Sequence, residues 1–257
     1  DEHDVEIPMD VEQADVLAVM SSIEIQKYPQ SIAATAKILN AAGESWTFRK
    51  DGFEATNFGL LSGNPDWQKA ASMKLIDAAI KIGAKTLVLP ECGHAYMALR
   101  WMGANMYGKP LPFKVLHISE YLADALNTGK IKVKKVDKSV TYHDPCQVSR
   151  RGGATQAARD VIKHLGVDFR EMEYGGDYNW CCGGGGGVVT ITRADPLRHR
   201  VFKLKMDQVE STEADELLSS CANCRQSFDD SQQHFGWDYT MGSLMEMVAE
   251  NLEEGKS

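Results

Sequence analysis

KTLVLPECGH, residues 85–94, and ELLSSCANC, residues 216–224, share one pattern. In each stretch a short apolar run is followed within three residues by a cysteine, Cys92 or Cys221. Short apolar runs that end at turn residues are typical of buried strands. The two stretches therefore predict two buried strands, each of which leads into a cysteine.

The elements around these strands come in the same order in both halves of the chain. In the first half, the sequence pattern predicts strands at 14–22 and 85–89 and helices at 29–42, 67–83 and 119–126. In the second half it predicts strands at 140–143 and 216–219 and helices at 157–165, 200–209 and 243–252. A repeated order of elements indicates an internal duplication.

A nearly constant offset supports the duplication. The offset is 124 residues for four pairs of positions: Ser22 with Cys146, Asn57 with Cys181, Phe58 with Cys182, and Ser119 with Ser243. It is 129 for Cys92 with Cys221, and the surplus falls beside the glycine run 183–187. In the first half only Cys92 keeps a cysteine at these positions, so we expect that half to be degenerate.

Alternating strands and helices predict an α/β fold with two pseudo-symmetric Rossmann-like halves, each a parallel sheet flanked by helices. We expect the degenerate half to span residues 1–130 and the cysteine-rich half to span residues 131–257. Ligands of such sheets gather at the carboxyl ends of the strands. Because the cysteines follow predicted strands or extended segments, we expect them to converge at one mouth.

Composition excludes several classes of protein. A net charge of −8 gives no electrostatic basis for binding nucleic acid. No run of 18 apolar residues occurs, so no direct membrane span is expected, and the acidic stretch 1–13 does not resemble a signal peptide. Five of the six cysteines lie in one half, which fits a secreted disulfide framework poorly and favours a reducing, cytoplasmic compartment.

Five cysteines form one composite motif, C-x34-CC-x38-C-x2-C, made of Cys146, Cys181, Cys182, Cys221 and Cys224. Thiolates pooled in this way are the natural ligands of an iron–sulfur cluster. Gly183 opens a run of five glycines, which lets the backbone approach an inorganic core. Five ligands exceed the four of a cubane cluster, so a less regular cluster is indicated.

Two other interpretations of the cysteines stay open at this stage. A tetrahedral zinc site would use four of them and would leave a fifth over. Cysteines that merely fill an apolar core would need neither the adjacent pair nor the C-x2-C spacing.

The motif resembles the CCG cysteine-rich domain of the HdrB and HdrD subunits of heterodisulfide reductase. The flanking residues TYHDPCQVSRRGG, WCCGGGGGVV and CANCRQSFDD resemble more closely the K subunit (DsrK) of the Dsr membrane complex. The resemblance covers essentially the whole chain. It implies one noncubane [4Fe–4S] cluster bound by Cys146, Cys181, Cys182, Cys221 and Cys224, with Gly183 beside it.

The chain departs from those families in two ways. HdrB-type proteins carry two complete motifs, and this chain carries one. Complete K subunits also carry ferredoxin-like motifs of the C-x2-C-x2-C-x3-C-P type ahead of the CCG region, and none occurs here. Either this is the C-terminal part of a longer protein, or another subunit supplies the electrons.

The resemblance implies a thiol/disulfide oxidoreductase that reduces or forms a sulfur–sulfur bond as part of a larger complex. The implied substrate is a disulfide or trisulfide on a small sulfur-carrier protein such as DsrC, in dissimilatory sulfur metabolism. The implied partners are membrane-anchored electron-transfer subunits, which would hold the chain peripherally on the inner face of the membrane. The alternative is an electron-relay or structural subunit whose cluster does not contact substrate.

Cys92 and His94 are the predicted catalytic residues, because the duplication would place them facing the cluster. Cys92 would bond transiently to substrate or add a ligand, and His94 would donate a proton. A leftover thiol and a capping histidine are the alternative. Four further side chains next to the ligands are candidates to supply protons or positive charge to thiolate products: His143, Arg150, Arg151 and Arg225.

Overall fold

The fold is described by a computed structural model over residues 5–253. Within that range, the first half consists of four strands and seven helices. Its strands are β1 (Val16–Ala18), β2 (Trp46–Thr47), β3 (Thr86–Leu89) and β4 (Lys114–His117). Its helices are α1 (Ser22–Lys27), α2 (Pro29–Ala41), α3 (Phe58–Ser62), α4 (Pro65–Lys81), α5 (Gly93–Tyr96), α6 (Gly103–Tyr107) and α7 (Ile118–Asn127).

The second half has the same number of strands but fewer helices among the residues described. Its strands are β5 (Ser139–His143), β6 (Asp168–Phe169), β7 (Glu216–Ser219) and β8 (Thr240–Ser243). Its helices are α8 (Thr155–Leu165), α9 (Asp195–Glu210), α10 (Ala222–Phe235) and α11 (Leu244–Glu250). A π-helical turn at Met97–Trp101 and 3₁₀ turns at Gly176–Tyr178, Val188–Thr190 and Thr192–Ala194 complete the elements.

The two sheets have the same topology. The first has the strand order β2-β1-β3-β4 and the second β6-β5-β7-β8, and every pairing is parallel. The strands β1, β5 and β7 are buried along their whole length, because helices cover the sheets. The predicted α/β fold with two Rossmann-like halves is confirmed.

One hydrophobic core runs through both halves. Ile38 of α2 and Leu122 of α7 belong to the same buried cluster as Val161 of α8 and Val248 of α11. The helix contacts are reciprocal, since α7 packs on α8 and α11 packs on α2. By chain order α2 corresponds to α8 and α7 to α11, so the packing has the pseudo-twofold character that a duplication would produce.

Element boundaries differ from the predictions in physically simple ways. The strand predicted at 14–22 pairs continuously only over Val16–Ala18, and Met20 makes one further bridge to Glu54 before Ser21 caps α1. The helix predicted at 67–83 begins earlier, at Pro65, because Asn64 accepts hydrogen bonds from the first-turn amides. The boundary predicted between residues 130 and 131 lies in the segment that joins α7 to β5, and it stays a prediction; the outer ends of both predicted halves lie outside the described residues.

No helix between residues 5 and 253 combines the length and the apolar composition that crossing a bilayer requires.

Candidate functional site

The five motif cysteines come from three segments at the carboxyl edge of the second sheet. Cys146 lies three residues after the end of β5. Cys181 and Cys182 lie in the loop between β6 and α9. Cys221 is the N-cap of α10, directly after β7, and Cys224 lies in the first turn of that helix. Parallel strands bring these segments together because their carboxyl ends share one edge.

The five thiols form one continuous chain of contacts. Cys146 is in hydrogen-bonding contact with Cys181, and Cys181 is in contact with Cys182. Cys182 contacts Cys224, which in turn contacts Cys221. The predicted convergence is therefore present in the geometry, although the role of these residues as ligands stays a prediction.

The five thiols differ in how readily they ionise. The hydrogen bond from the Cys146 thiol holds the pKa of Cys181 well below its usual range. The hydrogen bond from Cys224 lowers the pKa of Cys221 to about 6, and backbone N–H groups at the start of α10 add to the effect. The same contacts raise the pKa of Cys146, Cys182 and Cys224. Neighbouring thiols do not all ionise on their own, so the full thiolate set needs a metal charge among them.

The glycine run donates backbone hydrogen bonds to the vicinal pair. The Gly183 amide lies 3.3 Å from Cys181 Sγ, and the Gly184 amide lies 3.4 Å from Cys182 Sγ. Gly183 has a φ of +82°, a conformation that favours glycine. A Cβ on Gly184 would lie 2.8 Å from Ser227 Cβ, so α10 packs directly on this glycine.

Gly184→Ala is expected to disturb the cysteine site, whereas Gly185→Ala is its matched control. An added methyl at Gly184 pushes Ser227 away, and Ser227 holds the Cys182 carbonyl through a 2.9 Å hydrogen bond. At Gly185 an added Cβ meets nothing within 4 Å. We expect Gly184→Ala to lower the free energy of unfolding by about 1–3 kcal/mol and to reduce metal retention, with neither change in Gly185→Ala. Urea unfolding and metal analysis measure both, and equal behaviour of the two variants would refute this role of Gly184.

His143 is an unpartnered polar side chain aimed at the thiols. It ends β5, is 1% exposed, and packs edge-on against Phe228 with ring centroids 4.8 Å apart. A ring nitrogen of His143, Cys182 Sγ and Cys224 Sγ lie within 4.8 Å of one another. Neither ring nitrogen has a hydrogen-bond partner within residues 5–253. A buried polar group without a partner is costly, so this site fits a bound group that the imidazole contacts.

The segment that contains the five clustered cysteines matches a known family model. Residues 140–229 match the family model described as CCG, cysteine-rich domain. The second half carries a CCG domain. The matched segment includes all five clustered cysteines and ends within α10.

Curated relatives extend the likeness beyond the CCG domain. The HdrD subunit of the dihydromethanophenazine:CoB–CoM heterodisulfide reductase from Methanosarcina barkeri is 36% identical over 179 residues, which are 69% of this chain and 43% of that protein. The corresponding protein from Methanosarcina mazei is 32% identical over 225 residues, 85% of this chain and 54% of that protein. Iron–sulfur subunit 2 of an Hdr-like menaquinol oxidoreductase from Archaeoglobus fulgidus is 32% identical over 172 residues, 63% of this chain and 31% of that protein.

These relatives show homology to the HdrD subunit of heterodisulfide reductase, and the chain spans about half the length of the two HdrD proteins. The CCG domain and the homologues imply an iron–sulfur cluster. The donor set fits that group, since it consists of adjacent soft thiols with an unpartnered imidazole beside them.

A cavity of about 500 Å³ lies next to the CCG domain, between the two halves. Three of the first-half positions that correspond to motif cysteines line it: Ser22, Phe58 and Cys92. Gly186 and Asn223 line it from the second half. Phe58 and Trp67 stand at its rim, 55% and 64% exposed. The degenerate half therefore has a cavity where the CCG domain has its cysteines.

Both predicted catalytic residues line this cavity. Cys92 is buried, and its thiol is close enough to Cys221 for the charges of the two groups to interact. Burial raises the pKa of the Cys92 thiol. His94 accepts a 3.4 Å hydrogen bond from the Gly186 amide at Nε2. Burial, and then the charge of Arg151, lowers the pKa of His94, so it is neutral at pH 7.

Two buried carboxyl groups beside Cys92 were missed at the level of sequence. Glu24 accepts hydrogen bonds from Ser21 Oγ at 2.7 Å and from the Glu91 amide at 3.3 Å. Glu91 lines the cavity and accepts from Ser243 Oγ at 2.7 Å. Burial raises the pKa of Glu24 to about 7 and that of Glu91 to about 8. Carboxyl groups with such pKa values exchange protons near neutral pH.

The arginines next to the ligands have structural contacts. Arg225 binds Glu246 at 2.9 Å and Glu91 at 3.4 Å, and it stacks on the Tyr28 ring at 4.2 Å, so it ties the two halves together. Arg150 donates to the carbonyls of Asp177 and Asn179 and holds the loop ahead of the vicinal pair. Arg151 and Gln147 of the second half line a smaller pocket together with His94 of the first half.

Proposed function

We propose that this chain is an iron–sulfur oxidoreductase subunit of the heterodisulfide reductase type, which reduces or forms a sulfur–sulfur bond. In this proposal one noncubane [4Fe–4S] cluster is held by five thiolates, those of Cys146, Cys181, Cys182, Cys221 and Cys224. When bound, the cluster supplies electrons one at a time. The homology to the HdrD subunit of heterodisulfide reductase and the CCG domain support this assignment.

The observation that carries the proposal is the cavity between the two halves that Cys92 lines. A relay cluster needs no cavity of about 500 Å³ lined by a thiol outside the proposed ligand set, whereas an enzyme acting on a sulfur–sulfur bond needs room for both sulfurs. The rim residues Phe58 and Trp67 offer an apolar surface to an entering chain segment. Cys92 meets the substrate at the inner end of the cavity.

Cys92 reacts with the substrate by thiol–disulfide exchange. The Cys92 thiolate attacks a substrate disulfide, which forms a mixed disulfide and releases one substrate thiolate. Two electrons then cleave the mixed disulfide to two thiolates. Two protons from solvent, together with the proton that the base took from Cys92, convert the three thiolates to thiols. Because burial raises the pKa of Cys92, the thiol needs a base, and Glu24 and Glu91 are the neighbouring groups with a suitable pKa.

The substrate that we propose is a disulfide or trisulfide on a small sulfur-carrier protein such as DsrC, in dissimilatory sulfur metabolism, as in complexes that contain DsrK. A cysteine on a flexible protein arm would reach Cys92 through the mouth between Phe58 and Trp67. We further propose that membrane-anchored subunits of a Dsr-type complex donate or accept the electrons, and that they hold the chain peripherally on the cytoplasmic face of the membrane.

Reductive cleavage with a chemical electron donor tests the proposed function. Protein prepared without oxygen is mixed with reduced viologen and with the trisulfide or disulfide form of a DsrC-like carrier. The expected result is oxidation of two viologens per sulfur–sulfur bond cleaved, together with release of carrier thiol. A cluster that viologen reduces, combined with no carrier binding and no thiol release, would instead identify an electron-relay subunit.

A further inference from the structure

Lys205 is a fully buried lysine with no carboxylate partner among residues 5–253. It lies on α9 and is 0% exposed. The atoms around its Nζ are neutral: Gln208 Oε1 at 2.8 Å, Asn179 Oδ1 at 3.2 Å and Met172 Sδ at 3.6 Å. Over the described part of the chain, no carboxylate oxygen lies within 4.0 Å of it. A buried ammonium group without an anion is costly, so an anion is expected nearby.

Lys205 lies beside the cysteine site, because Met172, which its Nζ contacts, belongs to the same buried cluster as Cys182 and Cys224. Asn179, which also contacts Nζ, is two residues before Cys181. The carboxylate whose charge acts on Lys205 is Asp144. Asp144 is already satisfied, because both terminal nitrogens of Arg159 bind it at 2.6 and 2.8 Å. Burial lowers the pKa of Lys205 to about 8, which still leaves it mostly protonated at pH 7. The charge of Lys205 also acts on His143, the imidazole that lies among the thiols. The thiols, once a bound cluster holds them as thiolates, are thus the anionic partner that remains.

We propose that Lys205 is the fixed counter-charge of the cysteine-bound cluster and raises the potential at which the cluster is reduced. The inference rests on the proposed function, since it concerns the cluster that this function needs. Five thiolates outnumber the positive charges of an iron–sulfide core, so the assembly is an anion and each added electron increases its charge. A cation held in a low-dielectric interior favours the reduced state, and net charge is one of the factors that set cluster potentials.

The helix fixes this charge in place. Phe202, Lys205 and Val209 lie three and four residues apart and share the buried face of α9. Lys203, two residues before Lys205, is exposed on the same helix. The chain therefore contains its own matched control, a second lysine of α9 that points to solvent.

The experiment is a redox titration of the cluster, followed by electron paramagnetic resonance, in four proteins. At the wild-type midpoint potential, Lys205→Met is expected to lower the ratio of reduced to oxidised cluster by about tenfold, which is 59 mV for a one-electron couple. Lys205→Arg, which keeps the charge, is expected to stay within about twofold of the wild type. Lys203→Met is expected to titrate as the wild type does, because solvent screens its charge.

The possible outcomes separate the two proposals. Wild-type protein without iron and sulfide contradicts the proposed cluster, and with it the premise of this inference. A Lys205→Met protein that holds a full cluster and titrates like the wild type overturns the counter-charge alone. If the Lys205→Met protein loses iron, the redox titration is repeated with a Lys205→Gln protein. Loss of iron from both neutral variants but not from Lys205→Arg supports the proposal, whereas loss from all three shows that side-chain shape matters and overturns it.

Discussion

Replacing Cys182 with serine is expected to remove the cluster or convert it to a different species. Cys182 is buried and stands in the middle of the thiol chain, between Cys181 and Cys224. A serine hydroxyl is a hard, weakly acidic donor that substitutes poorly for thiolate. We expect the affinity for iron to fall at least about 100-fold, since even neighbours of metal ligands typically cost 10–100-fold. Iron and acid-labile sulfide analysis after anoxic purification measures the change.

Cys92→Ser is the control for this experiment. It removes a buried thiol of similar surroundings that lies outside the proposed ligand set, so its iron and sulfide content should match the wild type. Circular dichroism of both variants checks that each is folded. A Cys182→Ser protein with the full metal content and an unchanged paramagnetic signal would contradict the proposed ligand set.

The same Cys92→Ser protein is expected to lose catalysis while keeping its cluster. Serine forms no disulfide, so the exchange between Cys92 and the substrate is removed. We expect at least about a 100-fold drop in the rate of viologen oxidation by the carrier disulfide, as is typical when a nucleophile is removed. The measurement is turnover per cluster, which corrects for any difference in metal loading.

Glu91→Gln tests the proposed role of Glu91 in proton transfer at Cys92. It keeps the shape of a side chain that lines the cavity but removes the carboxyl group with a pKa of about 8. Turnover should fall in this variant too, because Cys92 has one base fewer, and formation of the mixed disulfide with excess carrier should be slower than in the wild type. Wild-type turnover by Cys92→Ser would show that Cys92 is a leftover thiol and takes no part in the reaction.

Much of the fold followed from the sequence because its signals are local. The helix α2 begins at a proline and carries many apolar residues, the strand β3 is a short apolar run, and the sheet topology follows from their alternation with other elements. The helix α10 was not predicted, because its buried face relies on small residues, Ser227 and Ser231, and on few large apolar ones.

The candidate site was predictable only where chemistry is tied to residue type. Cysteine spacing indicated the convergence of five thiols, and the duplication pointed to Cys92. Lys205 was missed, although its position on the Phe202 and Val209 face of α9 was a readable signal. Glu24 belongs to a capping box with Ser21, which indicates a helix start but not burial next to Cys92. Those features depend on how the two halves pack, which no local pattern encodes.

Metal and sulfide content of the wild-type chain, prepared without oxygen, tests the central claim most directly. We expect about four iron and four sulfide ions per chain, with a paramagnetic signal that appears or disappears on reduction. A colourless protein that binds one zinc ion and no sulfide, or one that keeps a complete iron–sulfur cluster after Cys146→Ser and Cys221→Ser, would contradict a single cluster held jointly by the five cysteines.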